Sequence, residues 1–213
     1  MRCAVLGTGS VGRTLAPRLA ELGHGVRLGT RDPLTTRARD DWSELPGVEL
    51  VTFADATADA DLVIHAGSGV AALDLLAQAG DLAGKVLVDI SNPLDFSAGF
   101  PPTLSVKDTD SLGEQVQRAF PDTRVVKTLN TLTADLMAHP DRLPEPTTVF
   151  VSGDDPDAKR LVTGLLTELG HRDVLDLGGI ETARGVEMWL PLWLRVVGAL
   201  GTGQFNIKVV RES

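Results

Sequence analysis

Two kinds of segment alternate along the chain. Short apolar runs rich in β-branched residues occur at Cys3 to Leu6, Val26 to Leu28, Val48 to Val51, Asp61 to His65, Lys85 to Ile90 and Arg124 to Lys127. Between the first two runs, Leu15, Leu19 and Leu22 recur at helical spacing, and Gly23 follows as a candidate C-cap. Because strands and helices alternate, the pattern predicts an α/β fold with a mostly parallel sheet covered on both faces.

The last third of the chain repeats this alternation on a smaller scale. Thr148 to Ser152 and Val174 to Leu177 are predicted strands, and Asp155-Pro156 predicts the start of the helix between them. Its apolar stripe consists of Ala158, Leu161, Val162, Leu165, Leu166 and Leu169, with Gly170 at its end. We therefore predict a main domain over residues 1–145. A small C-terminal α/β elaboration over 146–213 packs on it and contributes to the substrate cleft and to dimer contacts.

Two segments between these parts have their own signals. Ser111-Leu112-Gly113-Glu114 has the spacing of a capping box, which predicts a helix start. Ser97 to Asp110 contains Gly99, Pro101 and Pro102, and is predicted to be an irregular loop beside the cleft.

Composition limits the classes of function. The chain has 213 residues, 43% of them hydrophobic and 23% charged, as in ordinary globular proteins. Met188 to Leu194 is the most apolar stretch and is too short for a bilayer, so it predicts a core or interface helix and no membrane association. The chain enters a glycine turn directly after its first strand, so we expect a cytoplasmic protein.

Charge and metal-binding residues exclude further classes. The net charge of −9 opposes binding to nucleic acid, so we expect no nucleic-acid partner. The single Cys3 and four scattered histidines have no metal-site spacing, so no metal site is expected.

The chemistry is concentrated in a glycine-rich motif. Gly7-Thr8-Gly9-Ser10-Val11-Gly12 has the pattern GxGxxG, directly after a predicted strand and before a predicted helix. In such a motif Gly7 permits the tight turn, Gly9 lets the backbone approach a pyrophosphate, and Gly12 lets helix and strand pack closely. The helix N-terminus then presents unpaired amides to the phosphates. The motif predicts dinucleotide binding on a Rossmann-type, doubly wound fold.

The end of the second strand bears on the choice of dinucleotide. NAD-selective proteins place a carboxylate there, but this strand ends Leu28-Gly29-Thr30-Arg31. A hydroxyl and a guanidinium suit the 2′-phosphate of NADP(H). Asp32 lies close enough to be the ribose ligand of NAD(H), yet its place before Pro33 favours a helix N-cap. We therefore predict NADP(H), with Thr30 and Arg31 as ligands.

Three later strand ends are predicted to line the cleft, because ligands of open parallel sheets lie at the carboxyl ends of strands. They supply Gly67 and Ser68, then Asn92 and Pro93, then Asn130. Turn chemistry explains the same residue types equally well. His65 is interpreted as a buried core residue and not as a general base.

In order along the chain, Gly7-Thr8-Gly9, Gly29-Thr30-Arg31, Asn92-Pro93-Leu94 and Asn130-Thr131 resemble the F420-dependent NADP oxidoreductase family, and the chain is also similar to the reductase domain of the STEAP metalloreductases. The resemblance continues through Gly153-Asp154-Asp155, Lys159, Ala183-Arg184 and Glu187 to the C-terminal Gly201-Thr202-Gly203 and Ile207-Lys208. It therefore covers nearly the whole chain.

The resemblance implies hydride transfer between nicotinamide C4 of NADP(H) and C5 of coenzyme F420, or another flavin as second substrate. It implies that Thr8, Ser10, Thr30 and Arg31 hold the NADP phosphates while Ser68, Asn92 and Asn130 approach the nicotinamide. No dedicated catalytic residue is required, because positioning and water exclusion supply most of the catalysis.

The resemblance also implies homodimers. The segment from Trp189 to Leu194 and a C-terminal strand from Phe205 to Val210 would contribute apolar contacts to the dimer.

Two positions depart from the family pattern. Gly67-Ser68-Gly69 stands where related enzymes have a proline–tryptophan pair, and Asn130 stands where archaeal enzymes have a histidine. Two alternatives therefore stay open. They are an NADPH-dependent reductase of a small imine or ketone, which shares the N-terminal unit, and a non-catalytic NADP(H)-sensing protein.

Overall fold

The computed structural model describes residues 1–212. Within them the strands are β1 (Arg2–Leu6), β2 (Gly25–Thr30), β3 (Val48–Thr52), β4 (Leu62–His65), β5 (Val86–Asp89), β6 (Leu94–Asp95), β7 (Thr103–Leu104), β8 (Arg124–Thr128), β9 (Thr148–Ser152) and β10 (Asp173–Gly178). The α-helices are α1 (Ser10–Glu21), α2 (Pro33–Arg37), α3 (Phe53–Thr57), α4 (Ala72–Ala77), α5 (Leu112–Ala119), α6 (Ala134–Ala138), α7 (Pro156–Leu169), α8 (Ala183–Met188) and α9 (Leu190–Leu200).

One sheet of eight strands organises the chain, in the order β10-β9-β8-β5-β4-β1-β2-β3. Six neighbouring strands are mutually parallel, in the order β3-β2-β1-β4-β5-β8. This is the strand order of a dinucleotide-binding sheet, in which β8 occupies the place of the sixth strand. β9 pairs antiparallel with β8, and β10 pairs parallel with β9. The predicted fold class is therefore confirmed, with β9, α7 and β10 as the C-terminal elaboration.

The sheet is covered on both faces, which explains the continuous apolar runs of its central strands. One hydrophobic cluster contains Val5, Leu15 and Leu166 and lies under α1, α6 and α7. The other contains Leu6 and Leu76 and lies under α3, α4 and α5. Each fully buried leucine contributes about 1.5–3 kcal/mol, so these clusters supply the main stabilisation.

Helix α7 follows its sequence signals closely. The Asp155 carboxylate accepts a hydrogen bond from the Ala158 amide at 2.8 Å, with Pro156 in the first turn. Gly170 ends the helix in the left-handed conformation at φ +107°. The predicted stripe is buried except for Leu161, which is 36% exposed.

The capping box at α5 is correct in position and incomplete in detail. The Ser111 hydroxyl accepts from the Glu114 amide at 3.1 Å, as predicted. The Glu114 carboxylate accepts from the Ser111 hydroxyl and from the Arg184 guanidinium. The first two amides of α5 donate instead to Glu187, from far along the chain.

Three expectations differ from the structure. The predicted loop from Ser97 to Asp110 contains β7, which pairs antiparallel with β6, and a two-residue pairing has no periodic signal. The apolar stretch from Met188 to Leu194 spans the junction of α8 and α9 and only Leu190 of α9 is buried, so it is not a core helix, while its role as an interface helix stays a prediction. Phe205 to Val210, predicted as a strand, forms none, although the Thr148 amide donates to the Ile207 carbonyl at 3.0 Å. The division at residues 145 and 146 stays a prediction, since β8 and β9 belong to one sheet on either side of it.

In the part of the chain that the structure describes, no helix has both the length and the apolar character needed to span a membrane. Within the same residues, no group of three or more histidine, cysteine, aspartate or glutamate side chains is arranged to hold a metal ion.

Candidate functional site

The glycine-rich turn connects β1 to α1 in the geometry that its residues require. Gly7 has φ +119°, and a Cβ added there would lie 2.9 Å from the carbonyl oxygen of Ala66. A Cβ at Gly12 would lie 1.9 Å from the carbonyl oxygen of Gly7. Both positions therefore exclude side chains, one because of the turn and the other because the helix packs directly on the strand.

Gly9 differs from Gly7 and Gly12, because a Cβ added at Gly9 would have no atom within 4 Å apart from those of the adjacent residues. It is the N-cap of α1, which has no side-chain cap and no acidic residue in its first turn. The first backbone bond of the helix runs from the Arg13 amide to the Gly9 carbonyl. The amides before Arg13 therefore have no acceptor within the helix, and together with the positive end of the helix dipole and the open space at Gly9 they suit a diphosphate.

The end of β2 presents one guanidinium that has no partner among residues 1–212. Arg31 is exposed and takes part in none of the ion pairs found among residues 1–212. Thr30 beside it is buried, with its hydroxyl 2.8 Å from that of Thr36.

Asp32 is the N-cap of α2, accepting from the Leu34 amide and from the Thr35 hydroxyl. The hydrogen bond from Thr35, followed by that from the Leu34 amide, holds the pKa of Asp32 below its usual value. The interpretation of Asp32 as a helix cap is confirmed.

A second guanidinium lies at the turn and was not predicted. Arg39 donates to the Thr8 hydroxyl at 3.2 Å and forms a two-point pair with Asp41. Asp41 also pairs with Arg13, whose guanidinium lies 5.7 Å from the centre of the Trp42 ring. Because the segment after α2 has no motif or periodicity, only the folded chain shows that Arg39 reaches Thr8.

The three predicted cleft segments follow β4, β5 and β8, which are neighbours in the sheet. Asn92 and Asn130 are hydrogen-bonded to each other. The side-chain Nδ2 of Asn92 donates to the backbone carbonyl of Asn130 at 2.7 Å, and the side-chain Nδ2 of Asn130 donates to Oδ1 of Asn92 at 2.9 Å. The Asn130 Nδ2 also donates to the backbone carbonyl of Val186 at 3.0 Å. Ser68 is exposed on the adjacent segment.

Glycines bring the first two of these segments close together. A Cβ at Gly69 would lie 2.0 Å from the Asn92 carbonyl oxygen, so the chain after β4 packs directly against the chain after β5. Pro93 is buried, and its carbonyl accepts from the backbone amide of Ser105 in the β6–β7 hairpin. The Gly67-Ser68-Gly69 sequence thus admits a neighbouring backbone where a bulky side chain could not fit.

Leu129, just before Asn130, is held in an unfavourable backbone conformation. Its φ is +58°, although its side chain is bulky and buried. Such a conformation costs about 1–2 kcal/mol in a residue other than glycine. The surrounding structure therefore fixes the turn that presents Asn130.

A buried network of charges lies directly beneath the three segments. His65 Nδ1 is 3.0 Å from Asp89 Oδ1, and Lys127 Nζ is 2.8 Å from Asp89 Oδ2 and 2.9 Å from Glu187 Oε1. All four side chains are buried, which confirms the interpretation of His65 as a core residue. Sequence analysis placed Lys127 only at the end of a strand, because a lone lysine after an apolar run does not reveal its partners.

Two members of the network, Asp89 and Lys127, are held in their charged forms. Burial by itself would raise the pKa of Asp89, but the charge of Lys127 and the contact with His65 outweigh it and keep that pKa well below its usual range. Burial would likewise lower the pKa of Lys127, but Asp89 and Glu187 outweigh it and raise that pKa. Lys127 is therefore a buried cation between two carboxylates.

A cavity of about 220 Å³ lies at the opposite, amino-terminal edge of the sheet, away from these residues. Its charged lining is already paired, since Arg27 contacts Glu49 at 3.2 Å and Asp59 at 2.7 Å. The carboxyl edge, with the open glycine turn before α1 and the adjacent ends of β4, β5 and β8, is the candidate site.

Known proteins resemble the chain over this region and beyond it. A family model described as NADP oxidoreductase, coenzyme F420-dependent, matches residues 2–93. The F420-dependent NADP reductase of Methanothermobacter marburgensis is 30% identical over 213 residues, covering 92% of this chain and 92% of that protein. The metalloreductase STEAP3 of Rattus norvegicus is 31% identical over 210 residues, covering 96% of this chain but only 40% of that protein.

A solved structure shares the whole architecture. A crystal structure from Arthrobacter sp. FB24, provisionally assigned as an F420-dependent NADP reductase, is 56% identical, with a TM-score of 0.97. The match covers 99% of this chain and 100% of the other.

Proposed function

The chain belongs to the family of F420-dependent NADP oxidoreductases, and from that premise we propose that it transfers a hydride between NADP(H) and coenzyme F420 or a related flavin-like acceptor. The balanced reaction is NADPH + F420 + H⁺ giving NADP⁺ and reduced F420, with the proton exchanged with solvent. The hydride passes between nicotinamide C4 and deazaflavin C5. The cofactor rings supply the redox chemistry, and the protein supplies binding and orientation.

The unpaired Arg31 is the observation that supports NADP(H). Its guanidinium lies at the end of β2 beside Thr30, while the neighbouring carboxylate of Asp32 is occupied as a helix cap. In this proposal Arg31 binds the 2′-phosphate with its fork of donors. Gly7 to Gly12, with the open space at Gly9, receives the diphosphate through the amides of α1.

The other half of the cleft orients the rings in this proposal. Ser68, Asn92 and Asn130 lie along the adjacent ends of β4, β5 and β8, where the nicotinamide of a dinucleotide bound to α1 would extend. We assign no general acid or base, because a hydride transfer between stacked rings requires alignment and exclusion of water. Gly67 and Pro93 contribute backbone atoms to the same side of the cleft as Ser68, Asn92 and Asn130.

We also propose a homodimer that acts in the cytoplasm. Helix α9 supports the dimer, because Leu192 is 51% exposed and Leu200 is 58% exposed, which leaves apolar surface for a second copy. Both proposed substrates are charged, phosphate-bearing molecules that do not cross a membrane unaided, which supports the location.

Mixing the protein with NADPH and F420 tests the proposal. We expect the deazaflavin absorbance to bleach with NADPH and to change much more slowly with NADH, with FMN and FAD as comparison acceptors. Tight NADPH binding without turnover of any acceptor would favour a sensing protein instead. Reduction of an imine or ketone but of no flavin would favour the small-substrate reductase.

A further inference from the structure

One buried lysine connects all three segments that line the nicotinamide half of the cleft. We infer that Lys127 is a positioning residue for hydride transfer: through Ser91, Glu187 and Asp89 it fixes where Asn92, Asn130 and Gly67 stand around the nicotinamide. The inference rests on the proposed function. It assigns Lys127 no contact with either substrate.

Lys127 has the contacts of a fully satisfied ammonium group. Its side chain is completely buried, and its Nζ lies 2.8 Å from Asp89 Oδ2, 2.9 Å from Glu187 Oε1 and 2.6 Å from the Ser91 carbonyl oxygen. An ammonium group has three protons, so each proton has an acceptor. The group therefore has one fixed orientation and ties together three separate parts of the chain.

Each of these contacts of Lys127 leads to a residue of the cleft. The Ser91 carbonyl immediately precedes Asn92, and the Asp89 carboxylate also accepts from the Ser91 amide and hydroxyl. The residue after Val186 is Glu187, and the Val186 carbonyl accepts from the side chain of Asn130. Removing Lys127 would therefore loosen both members of the Asn92–Asn130 pair at once.

The network reaches the third segment through His65. This residue contacts Asp89 with Nδ1, and its Nε2 has no hydrogen-bond partner among the described residues. A Cβ at Gly67 would lie 3.1 Å from that Nε2, so the imidazole supports the backbone of Gly67 from below. The Gly67–Ser68 segment is thus positioned by the same charges.

Stability alone does not explain this arrangement. Buried charge networks are often no more stabilising than apolar side chains of the same volume, but they specify a single geometry. A hydride donor and acceptor need such a geometry, because small displacements reduce the rate strongly. The network lies at the ends of β4, β5 and β8, immediately before the segments that line the cleft. From there it can fix the positions of those segments.

Lys159 provides a matched control elsewhere in the molecule. Its Nζ also binds a carboxylate and a carbonyl, Asp176 Oδ1 at 2.8 Å and Gly178 O at 3.0 Å, and its side chain is 13% exposed. These partners belong to β10, at the far edge of the sheet from the dinucleotide motif. Lys159→Met therefore removes a comparable pair without touching the cleft segments.

The experiment compares Lys127→Met with Lys159→Met in the full-length protein, below the melting temperature of each. For Lys127→Met we expect kcat to fall at least about tenfold while the Kd for NADPH stays within about threefold, because the phosphate contacts lie elsewhere. The fluorescence of bound NADPH should shift toward that of free NADPH. For Lys159→Met we expect both properties to match the wild type. Unchanged kcat and unchanged nicotinamide fluorescence in folded Lys127→Met would overturn the inference.

Two further measurements keep the inference decidable. If Lys127→Met does not fold, Glu187→Gln decides in its place, since it keeps the side-chain shape and removes one charge of the network; unchanged kcat and fluorescence would then refute the role. If wild-type protein binds NADPH but reduces no flavin, the proposed function fails. The fluorescence comparison then decides the positioning role by itself.

Discussion

The glycines of the dinucleotide motif have separable tasks at the scale of single residues. We expect Gly12→Ala to lower the free energy of unfolding by about 1–3 kcal/mol, because its Cβ would collide with the Gly7 carbonyl. Gly9→Ala should leave stability within about 1 kcal/mol, since its backbone conformation suits alanine and the space is open. It should nevertheless weaken NADPH binding at least about tenfold, because the methyl group takes the space of the diphosphate.

Chemical denaturation and NADPH titration of the two variants measure this separation. If Gly9→Ala bound NADPH as tightly as the wild type, the diphosphate would not lie where we place it.

In the proposed function, Arg31 decides between NADP(H) and NAD(H). We expect Arg31→Ala to weaken NADPH binding roughly ten- to a hundredfold, the value of a charged hydrogen-bonded contact, and to leave NADH binding unchanged within about twofold. Arg160→Ala is the control, because Arg160 lies on α7 and pairs only with Asp157 in its own first turn. Equal loss of NADPH and NADH affinity would contradict the assignment of Arg31 to the 2′-phosphate.

Residues whose structural task depends only on nearby residues could be predicted from the sequence. The structural tasks of Gly7 and Gly12 and the cap at Asp32 follow from a few neighbouring residues, and the structure shows each of them. Arg39 and Lys127 could not be found in this way, because their partners are Thr8 and Glu187, distant in the sequence. The ligand contacts of Thr30, Arg31 and the cleft residues stay predictions.

At the scale of elements, the junction of α7 and β10 contains a titratable group that makes stability depend on pH. His171 is buried, and burial lowers its pKa below 6.5, although the Met137 carbonyl accepts from its Nε2. The unfolded chain therefore binds one proton more than the folded chain as the pH falls below about 6.5. This contribution to stability is complete above that pH and is lost below it.

We expect the wild type to lose stability below about pH 6.5 with a slope of up to about 1.4 kcal/mol per pH unit from this residue. His171→Gln keeps a donor for the Met137 carbonyl but does not titrate, so its slope should be smaller. Urea unfolding of both proteins at several pH values measures the difference. Parallel curves would show that His171 is not the cause.

Elements with a full period of apolar residues were predictable, and short or interrupted ones were not. The strand from Thr148 to Ser152 has the predicted bounds, and α7 has its predicted caps. The β6–β7 pairing and the junction of α8 and α9 depend on contacts between distant segments. The apolar sequence of α9 fitted a core helix and an interface helix equally well, and its exposure in the folded chain removes the first of these.

For the whole molecule, the α/β class and the mostly parallel sheet follow from the alternation of strands and helices, whereas the antiparallel pairing of β9 and the assembly do not. In the proposed dimer α9 packs against a second copy. We expect Leu192→Glu to shift the protein to monomers in light scattering, because Leu192 is 51% exposed and a buried carboxylate would oppose the contact. Leu161→Glu, at an exposed position on α7, should leave the mass unchanged. A wild-type protein that is monomeric at all concentrations would refute the dimer.

Direct hydride transfer from NADPH to F420 can be followed with deuterium. NADPH labelled with deuterium at nicotinamide C4 is mixed with F420 and the enzyme, separately for each of the two C4 stereoisomers, and the reduced deazaflavin is analysed by mass spectrometry. The account predicts deuterium at C5 of the deazaflavin from one stereoisomer only. Reduced F420 without deuterium from either stereoisomer, or no reduced F420, would contradict direct hydride transfer at this site.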